Sequence, residues 1–397
     1  MSSFEYRWYV LSNQVNSSQN QNYNNSRLSL NTLLENRYKT ILKILGVCCA
    51  LYLFLVGIKG LSIGIKYLGG DFAKTVIATT SNSFVALFIG IISTAIFQSS
   101  STTTSLIVGM VGGGALTLKG AIPMIMGANI GTTITNMIVS IGHINRSSEF
   151  RRAFAAATIH DFFNVIAVII LFPLEMIFGI LEKSALGLGN LFFGKVTTNQ
   201  EFHSPIKQAI EYGADHLKTL SSANNVLLIV ISVLLTFAML FSIVKVLRSL
   251  VLHKVEIFFD QYFFRSAITA FSFGIILTIL VQSSSITTST IIPLAGAGVL
   301  TLRQIYPFTL GANIGTTVTA LLASLTLNVT AMVAAFSHLF FNIFGILLIY
   351  LNPFLRDIPM KLSKWIADVA MQNKALPIIY LLIIFFGIPL LIIFLGS

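Results

Sequence analysis

The feature that most constrains this chain is a series of apolar blocks, each about 20 residues long or longer. They occur at about 41–68, 84–112, 121–142, 153–175, 224–245, 266–300, 304–326, 329–351 and 376–396. A helix rises 1.5 Å per residue, so roughly 20 apolar residues cross about 30 Å of hydrocarbon. Only 10% of the 397 residues are charged, whereas soluble domains carry about 25%. The pattern predicts an all-α polytopic membrane protein and argues against a soluble enzyme.

The same blocks divide the chain. An Asn-, Ser- and Gln-rich start is predicted to be a disordered cytoplasmic tail, and a polar segment between the halves is predicted to face outward. The predicted parts are the tail 1–40, a first membrane half 41–175, the outer loop 176–223 and a second membrane half 224–397, which ends in an apolar helix. Two blocks, 84–112 and 266–300, are interrupted by polar runs and are too short for two full spans. Each is predicted to be a re-entrant helical hairpin, which leaves seven spans.

The basic residues predict an orientation. The chain has 25 Lys and Arg against 14 Asp and Glu, a net charge of +11. With seven spans and a cytoplasmic N-terminus, 17 of the 25 lie inside and 6 outside. Cytoplasmic loops of membrane proteins carry such an excess. The charge therefore predicts a cytoplasmic N-terminus and an extracytoplasmic C-terminus, and it gives no reason to expect a nucleic-acid partner.

The two halves contain an internal repeat. A shift of 184 positions lays Gly90–Ser140 on Gly274–Ser324 with roughly half of the positions identical. The shared runs are Gln98–Ser101 with Gln282–Ser285, Gly127–Thr133 with Gly311–Thr317 and, at a shift of 178, His160–Asn164 with His338–Asn342. The repeat units, 84–175 and 266–351, each combine one hairpin with two helices. With the first hairpin opening outward and the second inward, they form the inverted repeat of secondary transporters, whose binding site lies where broken helices meet.

The duplicated polar runs predict a site for ions. Hydroxyls and amides at membrane depth are costly unless they meet a partner or a ligand. A helix that starts after the break suits an anion, whereas the carbonyls that end the preceding helix suit a small cation. Close helix packing through small residues is the alternative. It explains the glycines of the second run, but not Asn129, Thr132, Asn313 and Thr316, and duplication at both breaks favours a site.

Asp161 is the most unusual residue, because it is an acid in an apolar span and its repeat mate is the neutral Leu339. An acid there is by default a cation or proton site; the alternative is an ion pair with Arg151 or Arg152. The histidines of the repeat are expected to be core hydrogen-bonding residues. No His, Cys and Glu cluster indicates a transition metal, and no cofactor is expected.

An intramembrane serine protease is the enzymatic alternative. His160 and Asp161 point to different sides of one helix, and the serines lack a Gly-x-Ser-x-Gly elbow. The sequence therefore predicts that the chain is not an enzyme.

These motifs together resemble the bacterial branch of the type II sodium-dependent phosphate cotransporter family, over about residues 41–396. The resemblance implies phosphate ligands at Ser99, Ser100, Ser101, Ser284 and Ser285, to which we add Asn129 and Asn313 as candidates. It implies one sodium site at Gln282, Ser283, Thr316 and Thr319, and a second cation site at Asp161 with Gln98, Thr132 and Asn164. Where some members have a serine, this chain has Ala312.

The resemblance implies a function and a location. We expect a secondary-active symporter that imports inorganic phosphate with Na⁺ by alternating access and, because of Asp161, moves net charge. An oxyanion channel or a phosphate exporter is the alternative. The short outer loop without cysteines fits the inner membrane of a bacterium, and a homodimer is a further expectation.

Overall fold

The computed structural model describes residues 37–193, 205–222, 224–255 and 264–396. Within these residues the chain is helical and contains no strand, which confirms the predicted fold class. Of the predicted tail, residues 1–36 lie outside the described residues, and residues 37–40 begin the first helix. The chain forms two compact units, Met1–Cys49 and Ala50–Ser397. Every side-chain contact described below lies within the second unit.

The helices of the first half include one broken pair at the first polar run and a long helix after it. They are α1 (Arg37–Leu68), α2 (Gly70–Ser81), α3 (Ser83–Phe97), α4 (Ser100–Gly113), α5 (Leu118–Gly131), α6 (Ile134–Ile141) and α7 (Ser147–Phe178). The segment predicted as an outer loop contains two further helices, α8 (Ile180–Phe193) and α9 (Pro205–Leu220).

The second half repeats this order with small differences. Its helices are α10 (Asn225–Val255), α11 (Ala267–Val281), α12 (Ser284–Ser289), α13 (Ile291–Gly296), α14 (Leu302–Ser324), α15 (Val329–Gly345), α16 (Ile358–Gln372), α17 (Leu376–Leu382) and α18 (Ile388–Gly396). A π-helical turn, Ile346–Tyr350, extends α15, and another, Ile383–Gly387, joins α17 to α18.

Six continuous helical stretches of the described chain are long and apolar enough to cross a membrane. They are Arg37–Leu68, Leu118–Ile141, Ser147–Phe178, Asn225–Leu250, Val329–Tyr350 and Leu376–Gly396. A seventh candidate is the pair α2 and α3, which is bent by 100° at Asn82. The block predicted at 304–326 is the 23-residue helix α14, which is absent from the candidate spans because its sequence is more polar than theirs.

Backbone contact at glycines recurs in both halves. A Cβ at Gly127 would lie 1.9 Å from the carbonyl oxygen of Leu87, and one at Gly311 would lie 2.0 Å from that of Phe271. Both pairs differ by the same 184 positions. Because lipid tails are as apolar as a protein core, helices in a membrane associate mainly through such close packing. The repeat is therefore a repeat of structure: α5 lies on α3 as α14 lies on α11.

Candidate functional site

The two polar runs break the helices in the same way. Gln98 and Gln282 have left-handed backbone conformations, with φ of 52° and 56°, which is uncommon for residues other than glycine. The following serines are extended and cap the next helices: Ser99 Oγ accepts from the backbone N–H of Thr102 at 3.2 Å, and Ser283 Oγ from that of Ile286 at 3.3 Å. Each break therefore starts a new helix with a capped N-terminus.

The two breaks lie against each other. Ser101 Oγ donates to the backbone carbonyl of Gln282 at 3.4 Å, across 181 residues of sequence. Four of the five serines predicted to bind phosphate are buried, with Ser99 partly exposed; the buried ones are Ser100, Ser101, Ser284 and Ser285. The hydroxyl of Ser285 has no hydrogen-bond partner in the described chain. The structure thus brings polar groups of both runs together in a buried place, with at least one hydroxyl free for a ligand.

The residues predicted for the first sodium site surround the end of α11. Thr319 Oγ1 donates to Gln282 Oε1 at 2.9 Å, and Ser283 and Thr316 are buried. Thr316 donates to the carbonyl of Ala312 at 2.9 Å within its own helix. The carbonyl oxygen of Ala312 is therefore engaged by Thr316 within α14.

Sequence reasoning missed Thr278 beside this set. Its side chain is fully buried, its hydroxyl has no partner in the described residues, and it packs against Gly315. Its carbonyl accepts from the backbone N–H of Gln282 at 2.6 Å. Its repeat mate Thr94 is equally buried and equally unpartnered. The signal was present in the sequence, because threonine occurs at both positions of the 184-residue repeat.

Asp161 is fully buried in the middle of α7 and accepts two hydrogen bonds. Thr133 Oγ1 donates to its Oδ1 at 3.0 Å, and the hydroxyl of Tyr380 donates to its Oδ2 at 2.6 Å. The alternative ion pairs do not form: Arg151 pairs with Asp368, and Arg152 donates to the carbonyl of Gly296. No cationic side chain of the described residues pairs with Asp161.

The other predicted members of the Asp161 set lie elsewhere. Gln98 is exposed, and Thr132 donates to the carbonyl of Ala128; neither forms a hydrogen bond with Asp161 in the described structure. Asn164 belongs to a separate network. Sequence reasoning missed Thr133 and Tyr380, and Tyr380 has no local signal because it lies 219 residues away.

A buried network of asparagines and histidines joins the two halves. His160 Nε2 donates to Asn313 Oδ1 at 2.6 Å, and His338 Nε2 faces Asn129 Oδ1 at 3.4 Å. Asn164 accepts from Asn313 Nδ2 at 3.0 Å and donates to the carbonyl of Asn129 at 2.7 Å. The side-chain oxygens of both predicted phosphate-binding asparagines thus face histidines.

The polar groups of this region are mostly oxygen atoms. Among the described residues no three His, Cys, Asp or Glu side chains lie close enough to hold a metal ion together. The hydroxyl, amide, carbonyl and single carboxylate oxygens described above are ligands of the type that suits hard cations.

Comparison with known proteins gives the family. The model of the family described as Na+/Pi-cotransporter matches residues 53–197 and 234–351, more than half of the chain. Sodium-dependent phosphate transport protein 2B of Homo sapiens is 31% identical over 436 residues, covering 86% of this chain and 63% of that protein. Sodium-dependent phosphate transport protein 2A of Ovis aries is 32% identical over 429 residues, covering 88% and 67%.

The chain thus spans less than two thirds of the length of the 2B relatives. No solved structure matches it. The matched segments include both broken helix pairs, the buried acid and the asparagine–histidine network. The chain belongs to the Na+/Pi-cotransporter family.

Proposed function

We propose that this protein is a secondary-active symporter that imports inorganic phosphate with Na⁺ by alternating access. The observation that carries the proposal is the meeting of the two broken helix pairs, where Ser101 contacts Gln282. Among the described residues the buried hydroxyl of Ser285 has no partner, and a ligand with several oxygens would supply one. The names of the relatives, sodium-dependent phosphate transport proteins, agree with this ligand.

Phosphate is proposed to bind at the serines that begin α4 and α12. Neither polar run, 98–105 or 282–289, contains Arg or Lys. The N-terminus of a helix attracts anions, but partial charges alone do not neutralise a dianion away from water. Co-bound Na⁺ would supply the missing positive charge. Coupling follows, because moving the anion without its cations would be prohibitively costly.

The Na⁺ ions are proposed to bind at two places. One is the set Gln282, Ser283, Thr316 and Thr319, and the other is Asp161. The cations at the first place are proposed to neutralise the phosphate, and the additional cation at Asp161 makes transport electrogenic. We place the protein in a bacterial inner membrane with its N-terminus in the cytoplasm. A homodimer remains a prediction.

Uptake of labelled phosphate into proteoliposomes tests the proposal. We expect uptake above the external concentration when an inward Na⁺ gradient is imposed, and none when choline replaces Na⁺. Ser285→Ala should abolish most uptake, whereas Ser324→Ala, which removes a buried hydroxyl bonded within its own helix, should retain it. Uptake that ignores the Na⁺ gradient would refute sodium coupling.

The channel and exporter alternatives predict different flux. A channel would pass phosphate down its own gradient at rates beyond a conformational cycle, and an exporter would show accumulation only in vesicles of the opposite orientation. Measurement of initial rates in vesicles of known orientation separates these alternatives from import by symport.

A membrane potential tests the role of Asp161. A membrane potential of 100 mV contributes about 2.3 kcal/mol for each net charge moved per cycle. Because about 1.4 kcal/mol corresponds to a factor of ten, this potential should raise the accumulation of phosphate about 50-fold. Asp161→Gly should keep transport and lose this dependence. An unchanged voltage dependence would remove Asp161 from the sodium-binding residues.

A further inference from the structure

A basic cleft opens where α7, α14 and α16 meet, away from the two breaks. Its cavity of about 450 Å³ is lined by Arg151, Arg152, Arg303 and Lys364, with Met360 and Ala367 among its apolar walls. We call it the Arg303 cleft. None of the residues proposed to bind phosphate or Na⁺ lines this cavity, and the serines of the second break begin α12, whereas Ala295 on the cavity wall belongs to the next helix, α13. The cleft is therefore separate from the proposed transport site.

The charges around the Arg303 cleft are incompletely balanced. Asp368 pairs with Arg151, whose guanidinium holds the pKa of that carboxyl below its usual range by hydrogen bonding to it. Arg152 donates to the backbone carbonyl of Gly296 at 2.8 Å. Neither Arg152, Arg303 nor Lys364 has an acidic partner among the described residues, and no acidic side chain lines the cavity. Like charges gathered around one cavity repel each other unless an anion lies between them.

The position of Arg152 is fixed by the second hairpin segment. Gly298, at the turn after α13, has φ of +81°, and a Cβ there would lie 3.6 Å from Arg152 Nε. The hydrogen bond to Gly296 then holds the guanidinium at the wall of the cleft. Thr301 and Leu302, which also line it, begin α14. The N–H of Thr301 donates to Gln304 Oε1 at 3.0 Å, whereas the N–H groups of Leu302 and Arg303 in the first turn have no helical partner. Fixed guanidinium groups and free N–H groups are the donors that bind phosphate oxygens.

The general excess of basic residues on one face of a membrane protein is the competing explanation. It predicts exposed charges spread over a surface, and the basic side chains here are indeed exposed: Arg152, Arg303, Lys361 and Lys364. It does not predict a cavity whose size lies in the range of small-molecule sites and whose charged groups all have one sign. Only Lys364 of these two lysines lines the cavity.

We propose that the Arg303 cleft binds a phosphate group, held by Arg152, Arg303 and Lys364. Two sources share this chemistry: free inorganic phosphate and the headgroup of an anionic phospholipid. A lipid source is within reach because Trp365, the neighbour of Lys364, is 59% exposed, and tryptophan favours the boundary between membrane and water. The proposal does not depend on the transport cycle, because it concerns binding of a phosphate group to the cleft while no phosphate is being transported.

Chemical acylation of lysine, read by mass spectrometry, tests the proposal residue by residue. The purified full chain is treated with an amine-reactive ester in Na⁺-free buffer, and the rates at Lys364 and Lys361 are compared. Inorganic phosphate is added in detergent in one arm. In the other arm the protein is placed in nanodiscs of phosphatidylcholine, with or without phosphatidylglycerol.

We expect at least tenfold protection of Lys364 in one arm or both, with little change at Lys361. Protection by inorganic phosphate identifies the free anion, and protection by phosphatidylglycerol alone identifies the lipid headgroup. Arg303→Gln should remove the protection while the rate at Lys361, which reports intact folding of α16, stays the same. Equal protection of both lysines, no protection, or protection that survives Arg303→Gln would overturn the proposal.

Discussion

The hydrogen bond between Tyr380 and Asp161 predicts that Tyr380, on α17, strengthens the binding of a cation at Asp161 by fixing the orientation of the carboxylate. Asp161 has only two hydrogen-bond donors in the described structure, and the hydroxyl of Tyr380, at 2.6 Å, is the closer one. Tyr380→Phe removes this oxygen and keeps the ring. The carboxylate then keeps one fixed donor, Thr133, and can turn about its own bond, so it no longer holds one orientation toward a cation.

The size of the effect follows from the geometry. A hydrogen bond to a charged group contributes about 1.5–3 kcal/mol, and about 1.4 kcal/mol corresponds to a factor of ten. The bond is short and Asp161 is fully buried, so solvent does not replace the lost donor. We expect the Na⁺ concentration for half-maximal phosphate uptake to rise at least about tenfold.

Initial uptake rates in proteoliposomes over a range of Na⁺ concentrations measure this change. Tyr52→Phe is the matched control, since it removes a tyrosine hydroxyl bonded to the neutral carbonyl of Ala209. The decisive comparison is a double-mutant cycle. If Tyr380 acts through Asp161, Tyr380→Phe should add nothing in the Asp161→Gly background. Additive effects, or an unchanged Na⁺ dependence in the single variant, would refute the reasoning.

Three further variants test the site and the packing. Thr278→Val removes a buried hydroxyl without a partner, so the thermal midpoint should hold or rise, while the Na⁺ requirement of uptake should increase several-fold if this hydroxyl binds the ion. Gly127→Ala places a Cβ 1.9 Å from a carbonyl oxygen and should cost about 1–3 kcal/mol or more in stability; Gly187→Ala, where nothing lies within 4 Å, should be neutral or stabilising in the same thermal melts. The pKa of Asp368 is lowered by the hydrogen bond from Arg151, so the pair stabilises the fold above the unfolded pKa near 3.9 and loses this contribution as pH falls through the lower folded value. Asp368→Asn should therefore lower the thermal midpoint slightly at pH 7, by the effect of at most about 1 kcal/mol expected of an exposed pair, and the difference from the unsubstituted protein should shrink as the pH falls below about 3.9.

The helices and their repeat were predictable because they depend on local patterns. The apolar blocks, each long enough to span a membrane, and the two similar polar runs can be recognised within short windows of sequence. The equivalent residues Gln98 and Gln282 directly follow the last residues of α3 and α11. The 184-residue period also anticipated equivalent glycines. Each meets a backbone oxygen of the facing helix, as Gly127 does at Leu87.

The partners of Asp161 were not predictable, for two physical reasons. Thr132 and Thr133 are neighbours at the junction of α5 and α6, and neighbouring residues of a helix point about 100° apart around its axis, so the two threonines meet different surroundings. Thr132 consequently bonds within its own helix, and Thr133 reaches the acid. Tyr380 lies outside both repeat units, so neither the repeat nor a local period connects it to the site.

The asparagine–histidine network joins the two halves of this site by hydrogen bonds between buried side chains. Each repeat supplies a histidine that faces an asparagine of the other repeat, His160 with Asn313 and His338 with Asn129. Because all four side chains are buried, separation of the halves would leave polar groups without partners, at a cost for each group. The two contacts differ in length, 2.6 Å against 3.4 Å, so the sequence equivalence of the repeats is not an equivalence of geometry. Asp161 adds a second asymmetry, since its mate Leu339 has no charge. A cation bound at Asp161, as we propose, would therefore act on the first repeat more than on the second.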